Sequence, residues 1–357
     1  MKIIGKKMFD FEYTGNLHIH SRHSDGGMST REIAELASLA GLDFICINDH
    51  EYMRDSFDLG EEGFYGNLLV LTGLEIGKRF HHYLAYGIEE MVNSEGIGPQ
   101  EVIDRVNEKG GFGFLAHPFE KGMPYREKSV AYTWNDLSVK GFTGLSIWNF
   151  SSRWKERVKT IFHGIFFLAF KSQMLKGPSR ETISFWDGLN RTRRVVAIGT
   201  SDAHGAEFRI GPIRFIPLTY DFLFNTINVH VLIRRKIHGD FSTAKTDIYD
   251  ALKEGRLFIA HDSLCASKGF RFFFLSDDGS DLVMGEEGKF HTGSIIVELP
   301  ESGETRIYKD GIVAGRWRSS EVVYPVKEKG VYRVEVYRHL PVFGWRPWIF
   351  TNPIYLR

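Results

Sequence analysis

Histidines and carboxylates recur along this chain in an order suited to holding metal ions. They are His18 and His20, Asp25, Asp49 with His50, Glu75, His81 with His82, His117, then Asp202 and His204. Nitrogen and oxygen donors without cysteine suit zinc, manganese or iron rather than a thiolate-bound structural ion. The donors outnumber the four that one tetrahedral ion takes, so the pattern implies two or three divalent cations sharing a carboxylate bridge. Such a cluster lowers the pKa of a bridging water and makes hydroxide available at neutral pH. The chemistry this points to is hydrolysis.

Every one of these groups falls at the C-terminal end of an expected strand. In parallel α/β barrels that rim is where active sites lie. The strands are read from short apolar runs at 16–20, 44–48, 68–74, 83–86, 112–116, 144–148 and 195–200. His18 and His20 share a strand face because side chains repeat every two residues. Ser29 and Glu32 form a capping box that opens a helix with Ile33, Leu36, Ala37 and Ala40 on one side, closed by Gly41. Pro99 suits a helical first turn, and that helix, 101–109, ends at Gly110-Gly111. Strand–helix alternation of this length implies a parallel α/β sheet or barrel. From residue 270 onward only short alternating strands are expected, at 271–275, 294–299, 305–308, 321–325 and 331–337, with a hairpin turn at Lys309-Asp310-Gly311. This tail reads as a small all-β, sandwich-like module.

Composition bounds the alternatives. The 357 residues carry 45 Lys+Arg against 45 Asp+Glu, so bulk charge does not recruit nucleic acid, and no stable nucleic-acid partner is expected. The balance is uneven along the chain: residues 1–150 carry a net −8 and residues 151–267 a net +7. Cys46 and Cys265 are too few for a disulfide framework, and Cys46, mid-strand, reads as core. The first residues lack an apolar core of signal-peptide length, and the apolar run 161–170 is far shorter than a bilayer span of roughly 20 residues. A cytoplasmic setting is the expectation. Gly110-Gly-Phe-Gly113 lacks the third glycine of a dinucleotide loop, His50-Glu51 lacks a second histidine for a zincin, and no Gly-x-Ser-x-Gly elbow occurs.

Seven elements in sequence carry a family resemblance: His18-x-His20, Ser24-Asp-Gly26, Asp49-His50, Gly73-x-Glu75, His82-Tyr-Leu-Ala-Tyr-Gly87, Ala116-His-Pro118 and Gly199-Thr-Ser-Asp-Ala-His204. Together with Trp186-Asp-Gly-Leu189, they resemble the PHP (polymerase and histidinol phosphatase) superfamily over about residues 13–205. The tail, through Ala251-Leu-Lys-Glu-Gly-Arg256 and Trp348-Ile-Phe-Thr-Asn-Pro-Ile-Tyr355, resembles the carbaryl hydrolase-like (CehA/McbA-type) branch. The resemblance implies a distorted seven-stranded β/α barrel, and the pattern along the chain assigns it to 1–215, followed by a connecting strand and helix over 216–267 and a C-terminal β domain over 268–357. It also implies a trinuclear site. His18, His20, Glu75 and Asp202 would hold one metal; Glu75, His82 and His117 the second; Asp25, His50 and His204 the third. Of the pair, the resemblance implies His82 rather than His81, because His82-Tyr-Leu-Ala-Tyr-Gly87 matches the family's spacing into the glycine. Where the family often has a glutamate before an asparagine, this chain has Ser146 and Asn149.

The expected reaction is in-line attack of the bridging hydroxide on the phosphate ester of a small phosphorylated substrate. Asp202, with a second oxygen free, would orient or deprotonate the water. Arg22 and His23 follow the His-x-His strand and are expected at the pocket mouth, Arg22 forking phosphate oxygens and His23 protonating the leaving group. Carbamate, ester or amide hydrolysis is the alternative within enzymes, and a non-catalytic metal-retaining binding protein the alternative outside them. An insertion at about 151–185 is basic, with Trp154, Val158, Ile161, Phe162, Ile165 and Phe166 at helical spacing. It reads as a packed helix, a lid that recruits anionic substrate, or a membrane-contacting segment over 151–177.

Overall fold

The structure is a computed structural model and describes residues 11–53, 56–125, 131–173, 175–210, 212–237 and 239–357. The leader reading of residues 1–10 lies outside the described residues. It is a mixed α/β fold around a large sheet.

Seven strands carry the site: Phe11–Ile19, Phe44–His50, Leu68–Ile76, Tyr83–Tyr86, Phe112–Leu115, Gly144–Asn149 and Val196–Thr200. The first three pair parallel, and the last three pair parallel. Backbone hydrogen bonds Ser201 N→Leu17 O (3.1 Å) and His20 N→Ala203 O (2.9 Å) bring the seventh strand back to the first. These strands are buried along nearly their whole length, the state expected of continuous apolar runs covered on both faces. The Thr30–Leu39 helix keeps its Ser29/Glu32 capping box and buries Ile33 and Ala37. The Pro99–Glu108 helix starts on its proline.

One element departs from the parallel expectation. Tyr83–Tyr86 runs antiparallel to both Leu68–Ile76 and Phe112–Leu115. His82 therefore precedes its strand rather than following one. It reaches the common rim because that strand is reversed.

The segment 216–267 contributes strands to the same sheet. Its strand Ile227–Ile233 pairs antiparallel with Phe11–Gly15, then with Leu257–His261, which pairs with Gly344–Thr351. One hydrogen-bonded sheet thus runs from the first strand into the C-terminal strands. Those pack a second apolar cluster around Phe272, Phe274, Ile295, Val297, Val334 and Trp348. The separate strands expected at 294–299 and 305–308 are one strand, Gly293–Lys309, whose register against Ile312–Val326 slips between Glu298 and Gly303. Asp310 and Gly311, both at positive φ, make the tight turn between them.

The basic insertion is broken. Helices Phe150–Lys155 and Ile161–Ala169 are separate, the second capped by Thr160, and Trp154 and Val158 are buried while Phe162, Ile165 and Phe166 are exposed. The apolar residues at helical spacing do not form one stripe. Among the described residues, no helix is long and apolar enough to cross a membrane.

Where the first strand meets Ile227–Ile233, a buried cluster couples stability to pH. His230 lies 2.9 Å from Glu12 and 3.2 Å from Asp262, and Arg271 also pairs with Glu12. Burial alone would lower the His230 pKa, but the two carboxylates outweigh it and push it up to about 9 from 6.5. A raised folded-state pKa stabilises below pH 6.5, and the gain is lost as pH rises through 9. The difference corresponds to about 3 kcal/mol. Denaturant midpoints should fall across that window in the wild-type chain, and His230→Asn should remove the dependence. Equal slopes in both proteins would contradict it.

Candidate metal centre

The site is assembled at strand ends whose backbone is locally irregular. Between Leu17 and Ile19 the pairing with Phe44–His50 slips, leaving His18 as an extra residue at φ +66°. Asp202 (φ +55°) and His117 (φ +29°) also occupy the left-handed region. Non-glycine residues there cost on the order of 1–3 kcal/mol each, a cost found where function fixes side-chain direction. The irregularity lets His18 turn to the same centre as His20, two positions on.

The structure brings all nine expected donors together. Their ligand atoms fall into four overlapping groups: His20, Asp25, His50 and His204; His18, His20 and Asp202; His18, Glu75 and His117; and His50, Glu75 and His82. The outermost trio is as the resemblance implied, with His20 added. The inner grouping differs, because His117 falls with His18 and His82 with His50, all around Glu75. His18 Nε2, His20 Nε2 and His50 Nδ1 lie 3.1, 3.2 and 3.3 Å from a single oxygen, Glu75 Oε2. Its other oxygen, Oε1, is 2.8 Å from His82 Nδ1 and 3.3 Å from His117 Nε2.

These donors fit cations. The three nitrogens around Glu75 Oε2, and His82 Nε2 besides, are buried yet make no hydrogen bond. Buried polar atoms without partners are costly, and imidazole lone pairs crowded on one carboxylate oxygen are satisfied together by cations set among them. Burial and the neighbouring His204 and His50 hold His20 well below its ordinary pKa, a neutral state suited to ligation. Burial would raise Glu75, but His18, His82 and His50 together hold it well below the carboxylate range. Asp202 is likewise depressed, the pull of His18, His204 and Lys155 exceeding the effect of burial.

Further contacts aim these groups. Glu120 Oε2 lies 3.4 Å from His117 Nδ1 and accepts from Ser152 Oγ at 2.7 Å. Asp49, beside His50, accepts from Ser21 N, Ser21 Oγ and Ser24 Oγ, folding the loop that carries Asp25. Tyr220 Oη sits 2.6 and 2.8 Å from the carbonyls of His20 and His204 and accepts from Gly27 N. Ser146 bonds Thr200 Oγ1 at 2.7 Å. Asn149 holds Asp202 Oδ2 through Nδ2 at 3.3 Å, while its Oδ1 caps the Phe150–Lys155 helix. Removing such an outer partner typically costs 10–100-fold in metal affinity. Asn149→Ala should therefore weaken metal binding by about that factor, measured by competition with a chelating dye; unchanged affinity would contradict the role.

Three expectations are corrected. Arg22 turns away from the cluster, donating to Gly27 O at 3.1 Å and pairing with Glu32 at 3.1 Å, because the capping box places that carboxylate beside it. His23 pairs with Glu61 at 3.1 Å; neither residue lines the cavity at the cluster. The second oxygen of Asp202 is not free, and so depressed a carboxyl is a poor proton acceptor, since a general base works best with a pKa near the operating pH. His81 bonds Asn135, outside the cluster.

That cavity, about 240 Å³, is lined by the cluster and by residues outside the expected site set: Tyr52, Glu120, Tyr132, Ser151, Trp154 and Lys155. Lys155 is the one Lys or Arg among its described lining residues. In sequence it stood out only as one of the seven Lys or Arg of the basic insertion, 151–185.

No family model matches the chain. An uncharacterized protein of Methanocaldococcus jannaschii is 24% identical over 115 residues, covering 29% of this chain and 67% of that one. A two-domain protein of Bacteroides vulgatus containing a predicted PHP-like metal-dependent phosphoesterase superposes with a TM-score of 0.49 at 15% identity, over 97% of this chain and 96% of that one. PsfC of Pseudomonas syringae superposes at 0.40 and 12% identity, over 66% and 88%.

Proposed function

We propose that this chain is a metal-dependent hydrolase that cleaves a phosphate ester, built on a seven-stranded PHP-type barrel (1–215) joined through 216–267 to a C-terminal β domain (268–357). The observation that carries the reading is the set of buried imidazole nitrogens without hydrogen bonds, crowded around the single carboxylate Glu75. Within it, Asp25, His50 and His204, joined by His20, would hold one cation, and the inner cations would share Glu75 with His18, His20, His82, His117 and Asp202. Bound divalent cations supply Lewis acidity and a water acidified towards neutral pH.

The chain's own residues do the rest. Glu75, with imidazoles facing both of its oxygens, would be shared by the inner cations and hold their donors together. Asn149 and the facing imidazoles orient Asp202, which directs a water without taking its proton. Lys155, on the cavity wall, places a positive charge where an anionic ester oxygen would sit, which favours a phosphorylated substrate over a neutral carbamate. Asp25 and His204, the more open of the donors, face the substrate's approach.

Elemental analysis of gently purified protein, followed by phosphate release from a panel of monoesters, tests this. Two or more equivalents of zinc, manganese or iron with chelator-sensitive turnover is the expected result. Turnover of aryl carbamates or carboxyl esters without phosphate release would shift the reading to the carbaryl hydrolase-like alternative. Full metal occupancy without turnover would make the chain a metal-retaining binding protein.

A further inference from the structure

Beside the cluster lies a second, larger cavity of about 590 Å³, walled in part by Trp154, Val158, Gly164, Ile165 and Leu168. Met123, Trp154, Phe208 and Pro217 border both cavities, so the two spaces share a wall. We infer that this chamber receives the apolar portion of the substrate, and that the substrate is an amphiphile: an anionic, hydrolysable head at the cluster joined to an alkyl or aryl tail. The inference rests on the hydrolase reading and specifies its substrate class.

Several features favour that occupant. The chamber's size lies within the range of ligand pockets, which are mostly apolar with a few placed polar groups. Its described lining is apolar apart from Arg209 and the Tyr125 hydroxyl. The short Phe150–Lys155 helix presents Trp154 to both cavities and Lys155 to the cluster cavity, so one element carries the change from charged to apolar wall. Gly164 stands inside the Ile161–Ala169 helix, where glycine costs about 1 kcal/mol against alanine. Nothing demands it sterically, since an added Cβ would meet only Val158 Cγ1 at 3.7 Å. Its effect is to leave the chamber open. Ile165, 60% exposed, marks the mouth, and residues 151–185 around it carry seven Lys or Arg against two acids, complementary to an anionic head.

Straight-chain alkyl phosphonates, from ethyl to decyl, have no cleavable ester and report binding without turnover. Calorimetry on the metal-replete protein, below the concentrations at which these amphiphiles aggregate, should show affinity rising about fourfold per added methylene until the chamber is full. The same chain-length dependence should persist after chelation, when the head contributes less. Gly164→Leu, which favours the helix and fills the space, should flatten the dependence while leaving ethyl phosphonate binding unchanged. Ile165→Asp, at an exposed position, should weaken only the longer chains. Equal affinity for ethyl and decyl phosphonate, or a dependence that survives both substitutions, would overturn the inference. So would co-sedimentation with vesicles of phosphatidylcholine and phosphatidic acid in a protein that shows no preference for monomeric decyl phosphonate, because the apolar residues would then face a bilayer surface. Chain-length-dependent binding without release of phosphate from any alkyl phosphate would uphold the chamber and refute the phosphoesterase reading.

Discussion

Glu75→Gln should strip the inner cations and reduce hydrolysis by on the order of 10³-fold or more, beyond the 10–100-fold typical of changes one shell further out. Five imidazoles meet this one carboxylate, three at Oε2 and two at Oε1. Glutamine preserves the shape but removes the negative charge and replaces one oxygen with a donor amide, which faces cations with the wrong polarity. The fold should survive, because the strand Leu68–Ile76 is held by backbone pairing on both sides. Metal content should fall rather than vanish, since His20, Asp25, His50 and His204 form a group with its own carboxylate. Elemental analysis and turnover on the same preparation decide the matter. A variant with full metal content and wild-type turnover would remove Glu75 from the centre of the mechanism.

The donors were legible because their chemistry is conspicuous in sequence: histidines beside acids, each at the edge of an apolar run, obey one positional rule that packing does not require. The capped helix after Ser29 and the proline-led helix at Pro99 were legible for a similar reason, since local hydrogen bonding sets both ends. What escaped reading depends on contacts distant in the chain. The reversal of Tyr83–Tyr86 leaves no trace in a four-residue apolar run, which reads alike in either direction. Adjacency to the His-x-His strand suggested Arg22 and His23 for the pocket, but Glu32 and Glu61 capture both side chains. Tyr220 lies 200 residues from His20, whose carbonyl it meets, and a tyrosine opening a five-residue helix signals nothing. In 151–169, apolar spacing suggested one continuous helix; the Thr160 cap restarts it and turns the second part outward.

The largest effect on stability is expected at Arg333, far along the chain from any donor. Its guanidinium is buried, forking Asp187 at 2.7 and 2.9 Å, bonding Glu335 at 2.6 Å and stacking 4.1 Å from the Tyr308 ring. Burial opposes its charge, but Glu335 and Asp187 hold the guanidinium firmly protonated. Asp187 belongs to the Arg180–Asn190 helix and Arg333 to the Gly330–Leu340 strand, so the pair ties the C-terminal strands to the helix that precedes the Asp202 strand. Arg333→Met keeps the apolar stem but strands two carboxylates, and breaking one side of such a pair costs about 3–5 kcal/mol. Arg333→Lys should recover only part of this, since an ammonium cannot fork a carboxylate while bonding a second one in the same plane. Replacing Arg333, Asp187 and Glu335 together with apolar residues should restore much of the loss, because desolvating the charges is itself costly. Denaturant unfolding of the three variants reads these differences as shifts in midpoint at constant slope. A single substitution as stable as wild type would show that the C-terminal strands are held by their apolar cluster alone.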